Sequence, residues 1–236
     1  MRGLTPVSVC GRGAFRELGV GFAARLWYVY IMRVIVVTGG LGSGKSTASE
    51  FFRAKGAVVV DLDQVAATLL APGSSLLKRV VGEFGEGILL DDGRLDRAAL
   101  GEAAFASREA AQRLNAIVHP AVANDIATAI EQLLLLPDQP IAVILQVPLL
   151  VEAPVICELA DTVLAISAPE SVRIARAVAG GMSLEDATRR VGLQATDAER
   201  AELADVIMVN GGSIADLVGE LDAFWAEHVA VGGGPG

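Results

Sequence analysis

The chain is short of aromatic residues, lysine and cysteine. Aromatics make up 5% of its 236 residues, which leaves the 53% hydrophobic content mainly to Ala, Val and Leu. That mixture suits an α/β core of Ala-rich helices and Val- and Ile-rich strands. Cys10 and Cys157 are the two cysteines. They offer neither a disulfide framework nor a metal-ligand spacing, which fits a reducing cytoplasm. Positive charge is also scarce. A net charge of −9 and a pI near 4.8 argue against a nucleic-acid partner held by a broad basic face. No run approaches the roughly 18 uninterrupted apolar residues of a membrane-spanning helix. The longest candidate, Ile141 to Val151, is interrupted by Gln146 and Pro148 and reads as a buried strand. Internal repeats are absent.

Glycine, by contrast, is concentrated where it has a use. Gly39-Gly40-Leu41-Gly42-Ser43-Gly44-Lys45-Ser46 follows the apolar run Val34-Ile35-Val36-Val37 and matches the Gly-x-x-x-x-Gly-Lys-Ser pattern of a phosphate-binding loop. Glycines let successive N–H groups turn inward onto phosphate oxygens, and the helix that follows presents its positive dipole end to the same anion. Lys45 is one of three lysines, with Lys55 and Lys78. In such a loop it reaches the β- and γ-phosphates, while the Ser46 hydroxyl sits on Mg²⁺. The alternative is a Gly-rich turn that merely carries Lys-Ser. An acidic protein can still hold phosphate locally, because a loop nest and a few arginines suffice.

The order of patterns predicts a doubly wound parallel sheet. Strands are expected at Arg33 to Thr38, Ala57 to Asp61, Ile141 to Leu145, Asp161 to Ile166 and Val206 to Val209. A helix from about Lys45 to Lys55 follows the loop, and Ile214 to about His228 forms the last amphipathic helix. From Gln64 to about Leu136 the pattern is wholly helical, with breaks expected at Pro72-Gly73, Asp91-Asp92-Gly93 and His119-Pro120. Ser183 with Asp186, and Thr196 with Glu199, mark two further helix starts. Residues 1–31 carry four arginines against one glutamate and no clean period. They read as an extension, disordered or ahead of the true start, with an Arg-rich targeting segment as the alternative; a secretory signal is excluded by the lack of a continuous apolar stretch. The Gly-rich tail at 231–236 is expected to be disordered.

Three groups of residues could do chemistry. Asp63 follows the second strand at the carboxyl edge, where ligands of such sheets bind, and is either a general base or the N-cap of the next helix. Arg173, Arg176, Arg189 and Arg190 flank Gly180-Gly181, as a closing lid would require or as a solvated face would show. His119 is either a phosphate contact or a structural histidine.

Beyond the loop, the motifs resemble those of the dephospho-coenzyme A kinase family, from Met32 to about Ala226. They are Thr38 to Thr47, Val60-Asp61-Leu62-Asp63, Leu95-Asp96-Arg97-Ala98-Ala99-Leu100 with Phe105, Leu114 to Pro120, Val147-Pro148-Leu149-Leu150-Val151-Glu152, Arg190 to Gln194, and Ala204-Asp205-Val206-Ile207 leading to Asn210-x-Gly212. The resemblance implies a P-loop kinase of the nucleoside monophosphate kinase type within residues 32–230. It implies a three-layer α/β fold with a five-stranded parallel sheet, a helical coenzyme A insertion over about 64–136 and a lid over about 170–195. It also implies phosphorylation of the ribose 3′-hydroxyl of dephospho-CoA by ATP with Mg²⁺, the last step of coenzyme A synthesis. On the matching positions, Asp63, Lys45 and Arg176 would be catalytic. Gly42, Ser43, Gly44, Lys45, Ser46, Thr47, Arg190 and Asn210 would hold the nucleotide, with Ser46 on the metal. Asp63, Arg97 and His119 would face dephospho-CoA.

Such an enzyme would be cytoplasmic, a monomer or small homo-oligomer, with no nucleic-acid or membrane partner. Two positions depart from the family pattern. Gln146 stands where an aspartate is usual and cannot supply negative charge to Mg²⁺. The segment Arg176 to Met182 is about one residue short and lacks a second arginine, for which Arg173 is a candidate substitute. A kinase for another small nucleoside or nucleotide acceptor, and a catalytically weak nucleotide- or CoA-binding regulator, remain as alternatives.

Overall fold

A computed structural model describes residues 32–148, 150–151 and 153–230. The expected extension at 1–31 with Cys10, the tail at 231–236, Leu149 and Glu152 lie outside the described residues. Strands β1 (Arg33–Gly39), β2 (Val58–Asp61), β3 (Ala142–Gln146), β4 (Thr162–Ser167) and β5 (Val206–Val209) form one parallel sheet in the order β2-β3-β1-β4-β5. The α/β P-loop architecture is therefore as expected. The phosphate loop leaves the central strand. β1 is buried along almost its whole length because both neighbours and both faces are covered, which explains its unbroken apolar run.

Alternate strand residues feed the main core. Ile35, Val37, Ile144, Leu164, Ile166 and Met208 share one cluster with residues of α1 (Lys45–Ala54) and α9 (Ile214–His228). The few aromatics are concentrated here. Phe52 is fully buried, with its ring centroid 5.8 Å from that of Trp225 and 5.9 Å from that of Phe224. At the amino ends of the strands two aspartates extend the ladder. The Asp161 carboxylate accepts from the Val34 N–H at 2.9 Å, and that of Asp205 accepts from the Val163 N–H at 2.8 Å.

The chain divides into two compact units. One runs to Val60 and resumes at Leu133; the other is Asp61–Gln132. The second unit contains α2 (Leu62–Leu69), α3 (Ser75–Phe84), α4 (Arg97–Phe105) and most of α5 (Arg108–Leu134). Its own core is built on Val80, Ile88 and Leu100, with Leu95, Leu114 and Val118 packed around them. Two expectations fail in this unit. The break at His119-Pro120 does not occur: α5 runs straight through Pro120. Losing one backbone bond there is outweighed by burial, since Ala110, Val122, Ala123, Ile126 and Ile130 all leave solvent on this helix. The cap of α2 is Asp61, not Asp63. Asp61 has extended backbone angles and its carboxylate accepts from the Asp63 N–H at 2.9 Å, which leaves Asp63 in the first turn.

In the first unit, α6 (Glu170–Ala179) and α7 (Leu184–Leu193) are joined through Gly180-Gly181, and α8 (Asp197–Leu203) follows with the expected Thr196–Glu199 capping box. Because Phe52 joins α1, α9 and the sheet, Phe52→Ala is expected to destabilise the protein by about 3–5 kcal/mol. Urea unfolding followed by far-UV circular dichroism measures this, and a loss below about 1 kcal/mol would contradict the proposed weight of this contact.

Candidate active site

The loop between β1 and α1 is shaped by glycine and held by side chains from distant parts of the sequence. Gly42 and Gly44 take left-handed φ values of 72° and 111°. A Cβ at Gly42 would also strike the Arg173 carbonyl oxygen, and one at Gly44 the Asn210 amide. Gly44 is the N-cap of α1, with no side-chain cap and no acidic residue in the first turn. The helix dipole is thus left uncompensated at the loop, the arrangement an anion site requires. Ser46 is exposed at this helix start, and Thr47 follows it half-buried. Lys45 Nζ reaches back to the carbonyls of Gly39 and Gly40 at 2.6 and 2.9 Å, which places its charge over the loop.

Asn210, nearly buried at the end of β5, holds the other side. Its Nδ2 donates to the Ser43 carbonyl at 2.8 Å. The Arg176 guanidinium, on α6, donates to the carbonyls of Asn210 and Gly212, to Asn210 Oδ1 and to the Gly42 carbonyl, at 3.1 to 3.4 Å. Beside these groups a cavity of about 460 Å³ opens, lined by Leu41, Gly42, Arg176, Gly180, Gly181 and Met182. Gly42, Ser43, Gly44, Lys45, Ser46, Thr47, Arg176 and Asn210 are therefore assembled around one loop.

The remaining candidates belong to other elements. Arg190 is exposed on α7, beside an Arg189–Asp186 ion pair of 2.5 Å. Asp63, Arg97 and His119 belong to the helical unit. Asp63 and Arg97 are exposed, Arg97 at the start of α4 after its Asp96 cap. His119 is half-buried in α5, and that burial pushes its pKa below the ordinary 6.5, so the free imidazole is neutral at pH 7. Gln146 ends β3 opposite Val37 and accepts from the Ser49 hydroxyl at 2.7 Å.

Arg173 is not a solvated surface arginine: it is 5% exposed and paired with Asp197 behind the loop. Sequence reasoning did not single out Gln194 or Ser49. Gln194 Oε1 accepts from the Leu41 N–H at 2.8 Å. The one available signal for it was the Arg190 to Gln194 block.

Comparison with known proteins decides the family. The dephospho-CoA kinase family profile matches residues 33–216. The chain belongs to the dephospho-CoA kinase family. A dephospho-CoA kinase of Frankia casuarinae is 38% identical over 200 residues, covering 84% of this chain and 85% of its own. One of Methylococcus capsulatus is 40% identical over 193 residues, covering 81% and 94%. Among solved structures, a Thermus thermophilus protein superposes with TM-score 0.66 at 33% identity, covering 83% of this chain and 97% of its own. A Campylobacter jejuni dephospho-CoA kinase gives TM-score 0.61 at 26% identity, covering 84% and 98%. Kinases of this family use ATP as the phosphoryl donor.

Within this dephospho-CoA kinase fold, Asn210→Leu removes the amide that donates to the Ser43 carbonyl and one of the two acceptors of Arg176 Nη2. It is expected to cost about 1–3 kcal/mol in unfolding free energy and to weaken ATP binding in calorimetry. His119 and His228 both have pKa values lowered by burial. Their contribution to stability is complete above pH 6.5 and is lost as pH falls through 6.5 towards the folded-state values, because the unfolded chain takes the protons first. Proton NMR titration of the two ring C2 protons should give midpoints below 6.5; a midpoint above it for either ring would contradict this.

Proposed function

We propose that the protein transfers the γ-phosphoryl group of ATP to the ribose 3′-hydroxyl of dephospho-CoA, giving CoA and ADP. The observation that carries this reading is the family match over residues 33–216, joined to a phosphate loop held open by Asn210 and Arg176. In this transfer the 3′-oxygen forms a bond to the γ-phosphorus. The bond to the β,γ-bridging oxygen breaks, and the hydroxyl proton passes to a base.

Asp63 is the proposed base. It is exposed in the first turn of α2, two residues beyond Asp61, which ends β2 and caps the helix. Lys45 would bind the β- and γ-phosphates, Arg176 and Asn210 the nucleotide, and Arg190 the triphosphate from α7. Arg97 and His119 would meet dephospho-CoA. A neutral His119 does so as a hydrogen-bond partner, not as a cation. The self-contained core of Asp61–Gln132 supports a coenzyme A-binding role for the region 64–136, and the Gly180-Gly181 joint supports a lid over 170–195.

Among the described residues no cluster of three or more His, Cys, Asp or Glu could hold a metal. This suits an Mg²⁺ carried mainly by the triphosphate, with the exposed Ser46 hydroxyl as its protein ligand. When bound, the ion neutralises charge on the β- and γ-oxygens. Gln146 is an amide engaged with Ser49, so it would add no charge beside a metal. Among the described residues no helix is long and apolar enough to cross a membrane. A cytoplasmic monomer or small homo-oligomer completes the proposal.

Purified protein with ATP, Mg²⁺ and dephospho-CoA is expected to produce CoA and ADP, with AMP and adenosine as poor acceptors. Asp63→Asn should lower kcat by about 10²–10⁴-fold while ATP affinity stays near wild type. Equal rates for adenosine and dephospho-CoA would reject the acceptor assignment.

A further inference from the structure

A side-chain bond ties the end of β3 to the start of α1, beside the phosphate loop. Gln146 lies opposite Val37 in the parallel pairing of β1 with β3, and the following N–H, of Val147, donates to the Val37 carbonyl at 2.9 Å. The Gln146 backbone is thus fixed next to β1 two residues before that strand ends at Gly39. Its side chain crosses to α1, where the Ser49 hydroxyl donates to Gln146 Oε1 at 2.7 Å. Ser49 is 3% exposed and lies three residues after the exposed Ser46, about 4.5 Å further along the helix axis. Residues three apart share a helix face. The Gln146 amide is therefore held less than one turn below the Ser46 hydroxyl, near the helix end that faces the loop.

The bond to Ser49 decides which half of the amide is left over. Oε1 is engaged by the hydroxyl. Nε2 carries two N–H donors and, among the described residues, has no protein acceptor. What such a group can bind is limited. Water on a cation gives its lone pair to the metal and turns its hydrogens outward, so two N–H donors do not pair with it. A phosphate oxygen offers lone pairs alone and accepts from such a group directly. A carboxylate at this position would have the opposite preference. Among the phosphates of a nucleotide in a Gly-x-x-x-x-Gly-Lys-Ser loop, the α- and β-groups are cradled by the backbone N–H groups, so the γ-group has oxygens left for a further donor.

We propose that Gln146 donates through Nε2 to the γ-phosphate of bound ATP, and so favours ATP over ADP without adding charge beside the metal. The inference rests on the loop being the ATP site and adds to it a neutral γ-phosphate donor from β3.

The test is calorimetry of ATP and of ADP, both in EDTA, with thermal unfolding measured in parallel; neither metal nor acceptor is present. Gln146→Met keeps the length and removes both donors. It is expected to raise the ATP Kd about fivefold while the ADP Kd stays within about twofold of wild type. Gln146→Glu keeps the shape and the acceptor for Ser49 but adds a negative charge, so ATP should weaken about twentyfold, more than with Met. A bridge between α1 and β3 with a structural role alone would shift both nucleotides together. Equal changes for ATP and ADP, an ATP Kd within about twofold of wild type for Met, or Glu binding ATP at least as tightly as Met overturns the proposal. If Gln146→Met does not fold, Gln146→Glu decides: an unchanged ratio of ATP to ADP affinity rejects the idea. Wild-type protein that binds neither nucleotide would refute the loop assignment and this inference together. Wild-type protein that binds ATP but makes no CoA would refute the acceptor assignment alone, and the same binding constants would still decide the role of Gln146.

Discussion

Everything at the site depends on one hydrogen bond, from the Asn210 amide to the Ser43 carbonyl. It links the end of the edge strand β5 to a loop that leaves the central strand β1, across 167 residues of sequence. A phosphate loop must turn its N–H groups inward, which forces some carbonyls outward into the protein. Those carbonyls need donors, or the loop collapses onto them. Asn210 supplies one and, through its own oxygen, receives the Arg176 guanidinium that bonds the Gly42 carbonyl as well. The same small group of atoms therefore sets the loop shape and the direction of α6.

Much of this was legible in the residues. The fifth strand and the last helix fall where periodicity placed them, and the expected caps at Ser183 and Thr196 are local bonds between residues three apart. Asp61-Leu62-Asp63 offers two acids for one cap, and sequence spacing does not rank them; the backbone turns at Asp61, and the cap goes with it. Pro120 was misleading for a different reason. A proline signals a break by its missing N–H, yet α5 continues because both of its halves bury apolar faces. What could not be read were contacts between distant segments. Gln194 and Leu41 are 153 residues apart, and the Arg190 to Gln194 block marks one partner without naming the other. Arg173 has the spacing of a surface arginine and the environment of a core residue.

The family assignment and the two departures from its pattern now have a common setting. Gln146 is not an acid that has lost its function: it is one half of a Ser49–Gln146 contact between α1 and the end of β3. The joint after α6 places Gly180 and Gly181 in the lining of the cavity beside the loop.

The aspartates that clip Val34 and Val163 lie at the amino ends of the strands, while Lys45, Arg173 and Arg176 gather at the carboxyl end of β1. In a parallel sheet these ends lie on opposite sides of the unit. These two carboxylates and these three cations are thus separated along the strands. In a chain of net charge −9 it is such a local group of cations, and not the overall charge, that a polyanion at the loop would meet.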